Sequence, residues 1–597
     1  MNKGIFAFLV LLCSLLPAQQ KPVRIAFLSD VHFQDLYGSF SDTSFKGIIN
    51  PGTGKPTILR TMDSQLRSTR IFNENYFAFL KALDDIAAKG IKIVAMPGDF
   101  SDDGQAYNLR GLHRILDQYH QKYGIRFYLT TGNHDPVGPF YQEAGKDDFL
   151  GQDGHPLGIY SHENKEKKRP QVITRDIAAS GYLEILDELK DFGFYPGKED
   201  LFWSTPFDQA SPDSYSYAEA LKKADCSHRM YEVEPGFAVP DLSYVAEPVQ
   251  GIWMIAIDGN TYIPKDLSTS PGDPANYNGA AIGYNHVLTH KNHLVTWVRK
   301  LTAEAEKYGK TVIAFTHYPM TDFNDGATPE LKKLLGPGKW QLERVPDDRV
   351  AKAFAEAGLQ VHFAGHMHIN DTGILKTGNH MLVNIQVPSL AAYLPAYKVL
   401  TVQSRDKMEV QTEVLNEVPR FNELFPLYEK EYQALQDHTA SPQRWNREIL
   451  KSRSYHDFML FHLKELVRLR MIPGDWPKDF IRRAEILDGK DLLLMAENGK
   501  PSGKKGIDPD SYKTWNFKDL ILDLYKFQSA DELAGKDIPG ERLKQYCTLE
   551  KLYRKTRSAD PFVKQLASVF RILALLSGSD PAGHFEIDLK AGKTRRL

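Results

Sequence analysis

Along the first part of the chain, short apolar runs alternate with longer stretches in which apolar residues recur every three or four positions. Val23–Ser29, Ile91–Met96 and Ile125–Leu129 read as buried strands. Between them, Glu74–Lys89 carries Phe77, Leu80, Leu83 and Ala87 at helical spacing, and Gly90 stops it. Leu109–Tyr123 repeats the pattern through Leu112, Leu116 and Tyr119 and ends at Gly124. Strand, helix, strand, helix, strand at this spacing predicts crossover units and a mostly parallel sheet.

The pattern resumes after a long interruption. Gly251–Ile257 and Thr311–Phe315 read as strands, with a helix face of Leu294, Trp297, Val298 and Leu301 between them, closed by Gly309. Val350–Ala357 reads as a short helix before the strand Val361–Ala364. Met381–Ile385, Tyr397–Val402 and Met408–Val414 follow without helices between them, which predicts a second sheet closing the first domain. The interruption, residues 136–250, has charged and turn-rich stretches and one helical segment, Ala178–Phe192. It reads either as a cap that shapes the site or as a solvated decoration. Asp35–Thr69, rich in Gly, Ser, Thr and Pro, reads as a loop over the site. Beyond Asn416 the strands stop. Phe421–Leu435, Asp457–Leu469, Phe480–Ile486, Phe517–Tyr525 and Phe562–Leu576 predict a helical region, with a polar loop at Gly499–Gly506.

At 597 residues the chain exceeds one ordinary domain. The division expected is residues 1–20 as a signal peptide, 21–418 as a catalytic domain with the insertion, and 419–597 as a C-terminal helical region. Lys3, the apolar run Ile5–Leu16 and Pro17-Ala18-Gln19 carry the signal-peptide reading and predict export to a periplasmic or extracellular location. Leu12 is bulky where a lipid-attachment signal at Cys13 wants a small residue, so ordinary cleavage is favoured. No later segment is a transmembrane candidate, since Lys564, Gln565 and Arg571 interrupt the most apolar one. Cys226 and Cys547 make no disulfide framework, and their pairing stays open. A formal net charge of −2, with no basic stripe, disfavours nucleic acid as a partner.

What leaves the strand ends is chemically selective. Asp30-Val31-His32 follows the first run, Gly98-Asp99 the second and Gly132-Asn133-His134-Asp135 the third. His317 follows Thr311–Phe315, and Gly365-His366-Met367-His368 follows Val361–Ala364. Ligands of open parallel sheets sit at the carboxyl ends of strands. Asp30, His32, Asp99, Asn133, His317, His366 and His368 offer oxygen and imidazole donors without a thiolate. That mixture suits Mn, Fe or Zn and disfavours a closed structural zinc site. Singly, each has an ordinary explanation: an Asp-x-His or a Gly-Asp is uninformative, and His317 alone reads as structural. The ordered set carries the argument. His362 lies inside its strand and is left out. Asn260 and Tyr262 read as turn residues ahead of substrate contacts, and Asn370 and Asp371 either line the mouth or cap a turn.

In this order the blocks resemble those of the calcineurin-like metallophosphoesterases, over roughly residues 22–415, without substitution. The resemblance implies an α/β fold, a two-sheet β-sandwich flanked by helices. It implies two divalent or trivalent transition-metal ions (Mn, Fe or Zn). Asp30, His32, Asp99 and His368 would hold one; Asp99, Asn133, His317 and His366 would hold the other. Two cations about 3.5–4 Å apart form a template for in-line displacement at phosphorus and lower the pKa of a bridging water towards roughly 7. A bridging hydroxide is then the nucleophile. The resemblance gives His134 the leaving-group proton and Asp102 the task of orienting it, with Asp135 as the other candidate. The function expected is hydrolysis of a small-molecule or lipid-head-group phosphate ester. The block spacing resembles the cyclic-nucleotide and sphingomyelin phosphodiesterase-like branch, which favours a diester. A phosphomonoesterase is the alternative, and a non-catalytic metal-containing binding protein the alternative of another class.

Overall fold

The computed structural model describes residues 22–166, 169–436, 444–497, 507–578 and 580–597. The expected signal peptide, Cys13 and the loop 499–506 lie outside the described residues.

Two seven-stranded sheets face each other. The first is ordered Lys593–Arg596, His584–Asp588, Lys407–Val414, Ala396–Val402, Val23–Phe27, Ile93–Pro97, Arg126–Thr130. Its last three strands are parallel, as the crossover helices Asn75–Ala88 and Ala106–Tyr123 require. The second is ordered Asp371–Thr377, His380–Gln386, Val361–Ala364, Thr311–Thr316, Ile252–Ile257, Tyr244–Val249, Trp203–Ser204. Its four central strands, from His380–Gln386 to Ile252–Ile257, are parallel. Near-continuous apolar runs such as IWMIAI form these strands because both faces are covered. Between the sheets the Phe27 ring stacks on Phe363 at 3.6 Å, with Phe315 edge-on to Phe27 at 6.4 Å. The two-sheet sandwich flanked by helices is therefore the fold.

Three details differ from the sequence pattern. The strands after Val361–Ala364 do not form one sheet. His380–Gln386 joins the second, with Asp371–Thr377 beside it, while Ala396–Val402 and Lys407–Val414 cross back to the first. Part of the 136–250 stretch is integral to the second sheet, through Trp203–Ser204 and Tyr244–Val249. Only its earlier part builds a separate three-stranded sheet, Gly145–Leu150, Pro156–Tyr160 and Gln171–Ile173. Finally, after the C-terminal helices the chain returns as two strands on the edge of the first sheet.

The C-terminal helices include Phe425–Gln436, Tyr455–Leu466, Lys478–Ala484, Gly489–Ala496, Phe517–Ala530, Gly540–Tyr553 and Pro561–Leu576. From Leu463 onward they share an apolar core with Leu331, Leu334, Trp340 and Leu342 of the segment after Thr311–Thr316, while Leu427, Tyr428, Tyr455 and Phe458 pack into the core of the sandwich. Among the described residues no helix is long and apolar enough to cross a membrane. Cys226 is buried and Cys547 exposed, and both are free thiols.

Candidate metal centre

The seven predicted donors meet at one place, on the carboxyl edge of the parallel strands. The turns that deliver them are tight. Asp30, His32, Asp99, His366 and His368 have φ of 50°, 44°, 48°, 72° and 59°. Non-glycine residues in this region cost on the order of 1–3 kcal/mol each and persist only where their surroundings fix them. Here backbone bonds do so: Asp30 N–H donates to Gly98 O at 3.3 Å and His32 N–H to Asp99 O at 2.9 Å. The His366 N–H lies 3.0 Å from both oxygens of Asp30. The glycines of the motifs have a matching reason. A Cβ on Gly132 would collide with the Asp99 carboxylate, and one on Gly365 with the side chains of Ser29 and Asp30.

The donor atoms form two linked groups. In one, His32 Nε2 lies 3.1 Å from His368 Nε2, and His368 Nε2 lies 3.4 Å from Asp30 Oδ1. In the other, His317 Nε2 lies 3.1 Å from Asn133 Oδ1, 3.1 Å from His366 Nδ1 and 3.2 Å from Asp99 Oδ2. Asp99 Oδ2 also lies 3.8 Å from His32 Nε2, so this carboxylate stands between the groups.

The far nitrogens of three rings are occupied. His317 Nδ1 lies 3.0 Å from Pro97 O, His366 Nε2 3.0 Å from Ala281 O and His368 Nδ1 3.4 Å from Thr69 O. Donation to these carbonyls fixes the tautomers and leaves the inward nitrogens with lone pairs, the arrangement metal-bound histidines use. Lone pairs of imidazoles facing one another at 3.1 Å repel unless a cation or a proton lies between them. The residues present therefore fit the pair of ions that the resemblance implies.

Electrostatics ready two of the rings and set a third apart: burial works to lower His317, but Asp99 and Asp30 outweigh it and raise the ring above the usual histidine range, so it ligates on exchanging its proton for a cation. Burial, helped by Arg70, holds His32 well below the usual histidine range, and burial with Arg344 does the same to His366. Both are neutral and ready to ligate. Burial works to raise Asp99, but His317 and His134 outweigh it and keep the carboxyl well below its ordinary value.

His134 borders this centre. Its N–H donates to Asp99 Oδ1 at 2.9 Å, and its ring is edge-on to His32 with centroids 5.1 Å apart. The partner of its Nδ1 corrects the expectation from sequence: it is Asp103, not Asp102 or Asp135. Asp103, at φ 58°, turns its carboxylate between His134 and Lys146. Burial opposes its ionisation, but Lys146 and His134 hold it well below the usual range. Asp102 faces the other way, accepting from Arg60 Nη1 at 2.9 Å and Arg70 Nη2 at 3.1 Å. Asp135 receives the backbone N–H of Phe100 at 2.9 Å and Ser101 at 3.4 Å, so it braces the Asp99 turn. Lys146 and Asp148, the latter on Arg60 at 2.6 Å, both come from the three-stranded sheet, which thus reaches the site.

Other side chains singled out from sequence are struts. Asn260 donates to Gly132 O at 2.9 Å and accepts from Tyr318 at 2.6 Å, and Tyr262 donates to Pro136 O at 2.5 Å. His362 is buried against Asn384 at 2.8 Å. Asn370 accepts from Lys398 at 2.6 Å while its backbone N–H donates to Ser529 O at 2.9 Å, which fastens the C-terminal helices.

One residue at the site escaped the sequence reading. Arg344 is the last residue of a short turn, Leu342–Arg344. Its neighbour Val345 packs on Phe323, Ile369 and Met367, the last of which separates the two histidines of Gly365–His368 in sequence. Asn285 donates to Val345 O at 3.2 Å, four residues beyond the carbonyl that holds His366. Arg344 is half-buried, and burial lowers its pKa from the ordinary value. It makes no side-chain hydrogen bond or ion pair among the described residues.

Residues 23–225 match the family described as calcineurin-like phosphoesterase. No curated protein matches. Among solved structures, a dimetal phosphatase from Danio rerio is 12% identical, with 66% of this chain and 96% of that chain covered and a TM-score of 0.27. Purple acid phosphatase PPD1 from yellow lupin (Lupinus luteus) seeds is 9% identical, with 66% and 52% covered and a TM-score of 0.30. GAP50, described as the anchor in the inner membrane complex of Plasmodium, is 10% identical, with 66% and 84% covered and a TM-score of 0.25.

Proposed function

We propose, for a chain whose residues 23–225 form a calcineurin-like phosphoesterase region, that the centre hydrolyses phosphate esters with two metal ions resident. Asp30, His32, Asp99 and His368 would hold one ion, and Asp99, Asn133, His317 and His366 the other. The observation that carries the reading is the convergence of these donors with their tautomers set by backbone carbonyls. When bound, the ions supply positive charge to the phosphoryl oxygens and a water of lowered pKa.

The chain's own residues supply the rest. His134 stands at the rim with its Nδ1 held by Asp103, which leaves Nε2 to give a proton to the departing alkoxide. Asp103 fixes the tautomer and steadies the protonated ring, and Lys146 keeps Asp103 ionised. A protein that only bound metals would have no use for this His134–Asp103–Lys146 chain.

The motif spacing favours a diester. Arg344 favours the alternative, a monoester, because a guanidinium without an ion-pair partner, within electrostatic reach of His366 and Asp99, suits a dianionic phosphoryl group. The test is a rate comparison on manganese-loaded protein, with an aryl phosphate monoester set against its bis-aryl diester and a chelator-treated control. Activity that chelation abolishes and manganese restores supports the reading, and the ratio assigns the ester class. Turnover unaffected by chelation would sink it.

A further inference from the structure

The loop that carries Arg344 is held by the C-terminal helices. It begins after helix Thr328–Leu335, whose Glu330 accepts from Ser568 at 3.0 Å. Lys339 donates to Gly474 O at 2.6 Å. Trp340 stacks on Tyr525 with centroids 4.5 Å apart and planes 26° from parallel. Trp340 and Gln341 then take φ of 56° and 53°, a reversal that sends the chain back towards Met367 and the metal ligands. The same helices reach the centre directly. Beside His368 lies a small groove of about 50 Å³ whose lining is divided between polar side chains, Gln341, His462 and Gln528, and apolar ones, Met367, Leu463 and Met471. That is room for the near end of a leaving group.

Charge narrows what the loop is for. Arg60 and Arg70 are engaged with Asp102, and Lys146 with Asp103. Arg344 is the cation pressed against the site whose donors remain open among the described residues. Its planar fork matches the oxygens of a phosphoryl group two at a time.

We propose that the C-terminal helical region completes the substrate site: the Trp340–Tyr525 stack holds Arg344 to receive the anionic phosphoryl oxygens, and Leu463, Met471 and Tyr525 line the path of the leaving group. This rests on the phosphoester reading above. Trp340 is a positioning residue that acts through Arg344. Met471 meets the leaving group and not the phosphoryl group.

The experiment uses the full chain loaded with manganese, para-nitrophenyl phosphate as substrate and inorganic phosphate as inhibitor. Arg344→Ala should raise KM and the inhibition constant of phosphate about tenfold or more with metal content unchanged, and Arg344→Lys should recover part of it. Trp340→Ala should move both constants the same way, Trp340→Phe should restore most of the loss, and Trp340→Ala added to Arg344→Ala should cost nothing further. Met471→Gln should raise KM several-fold and leave phosphate inhibition as it is. Unchanged phosphate inhibition in Arg344→Ala, or multiplying effects of the Trp340 and Arg344 changes, overturns the inference. A wild type that neither turns over substrate nor binds phosphate in calorimetry overturns the underlying reading instead.

Discussion

Asp103 holds His134 while Asp102, the residue before it on the same turn, faces Arg60 and Arg70. Adjacent carboxylates thus serve opposite ends of the site. One steadies a proton donor at the rim, and the other ties down two buried cations.

His134→Ala should retain both metal ions and lose about 10²–10⁴-fold in kcat, the range for a general acid. Asp103→Asn should keep the metals and lose up to about the same 10²–10⁴-fold, because it acts through the His134 ring. Metal analysis beside steady-state kinetics reads both. Metal loss in His134→Ala would show that His134 is a ligand.

Asp102→Asn should act on stability. Asp102 is 1% exposed, and its loss leaves Arg60 and Arg70 with an uncompensated share of buried charge. Breaking such a pair costs about 3–5 kcal/mol. Urea unfolding should show the loss, while kcat per folded molecule changes less than in Asp103→Asn. The reverse ranking would return the orienting role to Asp102.

Gly132→Ala and Gly365→Ala should each cost the centre its metals without removing a donor. The added methyl meets the Asp99 carboxylate in one and Ser29 with Asp30 in the other. Metal content after dialysis checks this. Full occupancy in either variant would mean that these turns have more room than the structure gives them.

Glu74 makes stability depend on pH. It is fully buried, accepts from Tyr428 at 2.6 Å, and burial pushes its carboxyl up from 4.5 to about 7. The folded state therefore holds this proton more tightly than the unfolded state. Below pH 4.5 both states are protonated and nothing is lost. As pH rises from there through about 7, stability falls, by on the order of 3 kcal/mol for a shift of this size. Glu74→Gln keeps the acceptor for Tyr428 and removes the titration. Its stability relative to wild type should rise between pH 5 and pH 8 in urea unfolding; parallel curves would place the ionised form of Glu74 in a better-solvated setting.

The sandwich and the convergence of the seven candidate donors were legible because strand ends carry information twice. The apolar run fixes where a strand stops, and an Asp, Asn or His just beyond must be placed on the same edge as its counterparts. Asp102 and Asp103 were not separable that way. Both sit on one turn, and φ of 58° at Asp103 decides which faces His134. Arg344 was invisible because a lone arginine in a polar loop has no partner in sequence. Its significance comes from Val345 packing on Met367. Tyr244–Val249 was absorbed into the supposed insertion because its pairing with Ile252–Ile257 needs only a tight turn.

His584–Asp588 lies against Lys407–Val414, so the C-terminal helices are looped out between two adjacent strands of one sheet. This sets a timetable for synthesis. When Lys407–Val414 leaves the ribosome its outer edge has no partner, because His584–Asp588 has yet to be translated. At roughly 5–20 residues per second the interval is on the order of ten seconds or more. Through it the nascent chain shows an unpaired strand edge, the surface most prone to pair with a neighbouring chain. The helices made in that interval have to find their own core before the last strand arrives to close the edge.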